Sequence, residues 1–357
     1  MSESATRLPI AITRVTESNI GKVDFNNIQF GKVFSDHQLI IDYQNGVWTD
    51  ARILPYGEVP MSMAISAIHY GQAIFEGMKA QKGPDGAPLL FRPTDNLKRL
   101  NISAARMCMP ELPEDYFMEA LTALVKTDSN WIPTTEGSGL YIRPFMFGTD
   151  AFIGVKPSET YRFSIFTCPV NAYYLQPLKV KVATQYSRAF KGGVGFAKCA
   201  GNYGSQMLAT REAQAQGYMQ VLWTDAEEHK YIEETGTTNV FVRIGDKVVT
   251  PNLDGTILAG ITRDSVIQLL KSWGVEVEER PVSIIEIIEG IENGTVTEVF
   301  ATGTAATLVP IIVINYNDKD YTLNGHETWE YSNKLSKTLT DIKTGKAEDP
   351  FGWVVRI

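Results

Sequence analysis

Cysteine is scarce in this chain, and the three that occur, Cys108, Cys168 and Cys199, share no C-x-x-C spacing. An odd, unclustered set supplies neither a disulfide framework nor a zinc site, so no metal is expected and a reducing compartment is. Positive charge is also in deficit: 33 Lys and Arg against 41 Asp and Glu leave a formal charge of -8. A nucleic-acid binder needs a basic surface to neutralise phosphates, which sets that class aside. Long apolar runs are missing too. The stretch LVPIIVI at 308–314 is too short to span a bilayer, and the opening MSESATRLPIAITRV carries no basic segment followed by an apolar core. These deficits lead to the expectation of a globular cytoplasmic protein that binds neither nucleic acid nor membrane.

What is present is material for more than one core. A chain of 357 residues with 44% hydrophobic residues suits two domains. Strand-like and helix-like stretches alternate without an internal repeat. NLKRLNISAARM repeats Leu97, Leu100, Ala104 and Met107 near the helical period, whereas SGLYIRPFMFG and ETYRFSIFTCPV are rich in the aromatic and β-branched types of strands. Further on, NVFVRIGDKVVTP reads as a hairpin turning at Gly245-Asp246, and ITRDSVIQLLKSWG as a helix closed by Gly274. The pattern indicates an α/β (α+β) fold with an N-terminal domain over 1–170, a connection over 171–190 where prolines and tyrosines gather, and a C-terminal domain over 191–357.

The densest cluster of glycine is GGVGFAKCAGNYG, residues 192–204, built around Lys198. A phosphate-binding Walker loop requires Gly-Lys followed by Ser or Thr, but Ala197 precedes Lys198 and Cys199 follows it. A dinucleotide fingerprint begun at Gly193 meets Lys198 where its third glycine belongs. What remains is a lysine among Phe196, Ala197, Cys199 and Ala200. Desolvation favours the neutral amine, a nucleophile able to form a Schiff base with an aldehyde. Taken alone, the stretch reads first as a solvated loop lysine with glycines serving turns, and only partners elsewhere in the chain overturn that reading.

Three other stretches would complete a site for pyridoxal phosphate, which needs an acid at its ring nitrogen and a cradle for its phosphate. EETGTTNVF places Glu234 before a tight turn entering a strand. LAGITRDSV starts a helix, so the Ile261 and Thr262 amides lie at its positive end. ATGTAATLVP offers the hydroxyl of Thr304 and the Ala305 and Ala306 amides in a turn, and Arg99 on the early helix adds a cation. Each has an ordinary alternative: an exposed acid, a helix start that binds nothing, small core residues and a solvated arginine.

In order along the chain, IHYGQAIFEGMKA, FRPTDNLKRL, YIRPFMFG, GGVGFAKCAGNYG, YIEETGTTNVFV, LAGITRDS and ATGTAA resemble the branched-chain amino-acid aminotransferases of the pyridoxal-phosphate fold type IV group, from about residue 30 to the C-terminus. The resemblance implies a smaller N-terminal and a larger C-terminal domain, with the active site at their interface, and a homodimer. It implies Lys198 as the Schiff-base lysine and acid/base, Tyr203 at the cofactor's ring oxygen and Glu234 at its ring nitrogen. Arg99, Thr237, Ile261, Thr262 and Thr304 would bind the rest of the cofactor. Tyr70, Phe75 and Tyr141 would line an apolar substrate pocket together with Val155 of the partner subunit. Arg143 would meet the acidic co-substrate, and Thr304 and Ala305 the α-carboxylate.

The reaction so implied is a ping-pong transfer from L-leucine, L-isoleucine or L-valine to 2-oxoglutarate, yielding branched-chain 2-oxo acids and L-glutamate. One departure stands out: some members carry a redox-sensitive C-x-x-C just after the Gly-Thr-Ala turn, where this chain has Ala306 and Val309. No thiol switch is expected there. Two same-fold alternatives are a D-amino-acid aminotransferase and an aminodeoxychorismate lyase, and a third is a non-catalytic α/β protein whose glycine loop clamps an anion.

Overall fold

The computed structural model describes residues 10–172, 174 and 176–357. The chain divides into two compact units, residues 1–173 with 343–357, and residues 174–342.

In the first unit the strands Gly139–Gly148 and Tyr161–Val170 form a long antiparallel hairpin, in register from Gly139↔Val170 to Gly148↔Tyr161. Their apolar residues are buried on both faces, which explains why these strands read as near-continuous apolar runs rather than a strict alternation. Met78–Lys82 and Pro88–Phe91 extend the sheet on one side, His37–Gln44 and Arg52–Pro55 on the other. The helix Pro93–Arg106 buries the expected stripe of Leu97, Leu100 and Ala104 and ends at Met107. Glu114–Thr127 is a second helix that the sequence reading omits. Its signal is present: Phe117, Ala120, Leu121 and Leu124 recur at the helical period, and Glu114 and Asp115 favour the positive N-terminal end.

The second unit is a sheet whose order runs Ile232–Thr235, Gln220–Thr224, Leu178–Val182, Thr307–Tyr316, Val296–Gly303, Asn239–Ile244 and onward to Lys247–Thr250 and Val277–Glu279. Ile232–Thr235 also pairs with Asn239–Ile244 through Glu234↔Asn239, so the first six strands close on themselves. Leu178–Val182 lies parallel to both neighbours, with Leu178, Val180 and Val182 in the core. It sits where the sequence reading puts a connection, because the period-two pattern of LKVKV is masked by the prolines and tyrosines before it. The hairpin at Gly245-Asp246 and the helix Ile261–Ser272 form as expected, the latter followed by Gly274 at φ 77°. GNYGSQMLATREAQAQG, whose run of helix-forming residues up to Gly217 suggests one helix, forms two: Ala200–Gly204 and Met207–Ala215.

The end of the chain returns to the first unit. Val354–Arg356 pairs with Pro88–Phe91, and Trp353 stacks on Phe351 at 4.2 Å. Residues 343–357 therefore leave the segment 191–357 that reads in sequence as one domain, and the two units are of similar length. The cause is long-range strand pairing, which no local pattern records. Among the described residues no helix is long and apolar enough to cross a membrane.

Candidate active site

Lys198 ends the glycine-rich loop and stands two residues before the helix Ala200–Gly204. That short helix turns Tyr203 back toward the lysine, and Lys198 Nζ donates to the phenol oxygen at 2.8 Å. Ala197 and Cys199 on either side are 1% and 2% exposed, so the lysine stem is anchored in apolar surroundings while the amine faces a polar partner. The loop is fixed from within by Asn202, whose side-chain amide donates to the carbonyls of Val194 and Ala197 at 2.9 and 2.8 Å. It is fixed from outside at Gly195, where a Cβ would fall well inside van der Waals contact with the carbonyl oxygen of Thr256. Only glycine permits that approach.

Glu234 is buried on the strand Ile232–Thr235, and both its oxygens have partners. Arg188 Nη2 is 3.0 Å from Oε1, and Asn239 Nδ2 donates to Oε2 at 3.1 Å. The same guanidinium donates to the carbonyls of Gly195 and Thr256, which ties the lysine loop to the carboxylate. A carboxylate held by a buried arginine and an amide stays ionised. Asn239 also donates to Leu258 O at 2.9 Å and packs so closely on Gly260 that a Cβ there would collide with its Oδ1. Gly260 is the N-cap of Ile261–Ser272 and brings no side chain to that helix start.

Thr237 lies in the turn between Thr235 and Asn239, its hydroxyl 3.4 Å from that of Tyr174. Thr304 and Ala305 lie in the three-residue turn closed by Gly303↔Thr307. The two turns are neighbours, since Asn239 pairs with Thr302 and Gly303 packs on Thr237 and Thr238. Just below, Thr302 Oγ1 is buried with no hydrogen-bond partner among the described residues. The second unit thus gathers Lys198, Tyr203, Glu234, Thr237, Ile261, Thr262, Thr304 and Ala305 on loops, element ends and one strand of a closed sheet. Sequence reasoning missed Arg188 and Asn239. The available signals were an arginine in SRAF ten residues before the lysine and an asparagine directly after the turn in TTNVF.

The first unit carries the other residues. Arg99 is 7% exposed, not solvated, and Glu76 receives it two-pronged: Nε to Oε1 at 2.7 Å and Nη2 to Oε2 at 2.8 Å. Glu76, inside FEGMKA, was a third omission. Tyr141 and Arg143 share one face of the strand Gly139–Gly148, with Arg143 Nη2 donating to the Tyr141 hydroxyl at 3.0 Å. The guanidinium carbon lies 4.6 Å from the centre of the Phe75 ring, and Phe30 meets Tyr141 edge-on at 5.0 Å. Tyr70 and Val155 are exposed, by 42% and 91%. Cys168 packs beside Tyr141, and burial pushes its thiol up to about 11, so it is no nucleophile at neutral pH.

The donor set of the second unit matches one type of ligand: an aromatic aldehyde with a ring hydroxyl, a ring nitrogen and a phosphate. Amine and phenol lie within hydrogen-bond reach, the carboxylate is held by an arginine and an amide, a helix begins at a glycine, and the Thr302 hydroxyl, unpartnered among the described residues, adds a buried donor. Among the described residues no group of His, Cys, Asp or Glu is placed to hold a metal ion.

The class follows from comparison with known proteins. The sequence model of the family described as amino-transferase class IV matches residues 73–314, and the chain belongs to that family. It is 46% identical over 341 residues, 94% of this chain and 96% of the relative, to branched-chain-amino-acid transaminase 1 of Bacillus subtilis (strain 168). The T.th. branched-chain amino acid aminotransferase with pyridoxamine 5'-phosphate superposes with a TM-score of 0.73 at 26% identity, covering 88% of this chain and 97% of that one. The fold is shared as well with a branched-chain aminotransferase from Thermoproteus uzoniensis, at a TM-score of 0.75 and 24% identity over 89% of this chain and 99% of that one.

Proposed function

We propose that this chain is a branched-chain-amino-acid aminotransferase that uses pyridoxal 5'-phosphate to move the amino group of L-leucine, L-isoleucine or L-valine to 2-oxoglutarate. The near full-length identity to the Bacillus subtilis transaminase supports the reaction. The observation that carries the mechanism is the 2.8 Å contact between Lys198 Nζ and the Tyr203 hydroxyl, in the same unit as a buried, arginine-held Glu234. When bound, the cofactor supplies an electron sink for the charge that develops at the substrate Cα.

The residues then divide the work. Lys198 would hold the cofactor through its amine, and the same amine would act as the acid/base that takes the proton from the substrate Cα. Tyr203 orients that amine. Glu234 keeps a proton on the ring nitrogen, and Arg188 keeps Glu234 ionised. The Ile261 and Thr262 amides, Thr237 and Thr304 bind the phosphate side, and Arg99 joins them in the role the family resemblance implies. Phe75, Tyr141 and Tyr70 receive the aliphatic side chain, Arg143 the distal carboxylate of glutamate, and Thr304 with Ala305 the α-carboxylate. An apolar pocket separates side chains differing by one methylene by only about 1–3 kcal/mol, so all three branched-chain substrates are turned over. The protein works as a homodimer to which Val155 contributes from the second copy.

The test is a substrate panel with the purified protein and pyridoxal phosphate. L-leucine, L-isoleucine and L-valine should each give a 2-oxo acid with 2-oxoglutarate, and Lys198→Ala should abolish turnover. Activity confined to D-alanine would overturn the substrate assignment, and an active Lys198→Ala would overturn the mechanism.

A further inference from the structure

The strand that carries Glu234 buries a second carboxylate beside it. Glu233 is 4% exposed, and its Oε2 has no hydrogen-bond partner among the described residues. The charged groups facing it are Arg188, its neighbour Glu234, and Asp254, whose Oδ1 accepts from the Thr256 hydroxyl at 2.7 Å. Arg188 is itself 8% exposed, and its Nε likewise has no partner among the described residues. One buried cation, ion-paired with Glu234, therefore lies near two buried carboxylates, and an unshielded second negative charge in such a place is held off by protonation. Glu234 has a partner on each oxygen and takes the ionised role. Glu233, with one oxygen unmatched, takes the proton.

We propose that Glu233 is a positioning residue that sets the charge on Glu234: protonated, it leaves Glu234 as the one carboxylate that Arg188 neutralises, and ionised, it draws the guanidinium toward itself through the unmatched Nε. Glu234 then becomes more basic and holds a ring-nitrogen proton more tightly. The inference rests on the cofactor reading above. Burial pushes the Glu233 carboxyl up to about 7, against attraction from Arg188, so the change falls in the physiological range.

Holoenzyme reconstituted with cofactor carrying nitrogen-15 in its ring tests this by NMR from about pH 6 to about pH 9, a range spanning the shifted carboxyl but no ordinary one. In the wild type the ring-nitrogen signal should move toward the pyridinium position as pH rises through about 7. In Glu233→Gln, which keeps the shape of the protonated acid, it should stay at the low-pH value. A carbon-13 titration of the Glu233 carboxyl in the wild type should show the same midpoint. The same movement in Glu233→Gln, or a flat signal in the wild type, overturns the proposal. A protein that takes up no cofactor removes the underlying reading as well, and is told apart by the absence of any bound signal.

Discussion

At the scale of single residues, the site depends on which charged groups are matched and which are not. Glu233 makes this measurable without any cofactor. In the unfolded chain its carboxyl ionises near 4.5, whereas burial holds the folded group protonated to about 7. Between those values the unfolded state sheds the proton first, so the native state loses stability as pH rises, and the loss is complete above the higher value. Glu233→Gln has no proton to lose. Denaturant titrations should find the variant's advantage over the wild type growing from about pH 5 to about pH 8 by about 2–3 kcal/mol. A pH-independent difference would mean that Glu233 is ionised in the folded protein. Lys198, Glu234 and the Ile261 helix start were legible as candidates in the sequence because each sits in a short motif. Arg188, Asn239 and Glu76 were not, because their importance lies in what they touch: a carboxylate 46 residues away for Arg188 and 23 away for Arg99 on Glu76.

Elements are held in place by the same pairing rule. The helix Glu330–Lys343 begins on a buried acid from a neighbouring strand: Glu298 accepts from the backbone amides of Tyr331 and Ser332 at 3.0 and 2.8 Å and from Arg243 at 2.9 Å. Replacing Glu298 by Ala strands two amides and leaves Arg243 with Glu330 as its remaining carboxylate, and stability should fall by about 3 kcal/mol in chemical denaturation. Glu298→Gln should recover part of it. The glycine-rich loop is tuned for approach rather than for phosphate. In Gly195→Ala the added methyl meets the Thr256 carbonyl, so the loop must move and carry Lys198 with it. Pyridoxal phosphate affinity should drop at least about tenfold by equilibrium titration, the equivalent of about 1.4 kcal/mol, while the melting temperature changes little. Unchanged affinity would show that the loop tolerates the methyl. Helix and strand identities were largely readable from periodicity. The break of GNYGSQMLATREAQAQG into two helices was not, since it accompanies the turn of Tyr203 toward Lys198.

For the whole molecule, what the sequence left out was long-range. Closure of the second sheet through Glu234↔Asn239 and the return of Trp353 and Val354–Arg356 to the first unit join segments with no local signature. The class itself was accessible from ordered motifs, because seven short stretches in one order constrain the identity more than any single one does. In the proposed function, Lys198 is the amine that carries pyridoxal phosphate and surrenders it to L-leucine. Borohydride reduction of the cofactor-loaded protein, with and without prior L-leucine, followed by peptide mapping, tests it directly. The expected result is a visible absorbance that L-leucine bleaches and, without L-leucine, a cofactor fixed to the peptide containing Lys198. A label on another lysine, or a protein that binds the cofactor yet leaves the absorbance unchanged on adding L-leucine, would contradict it.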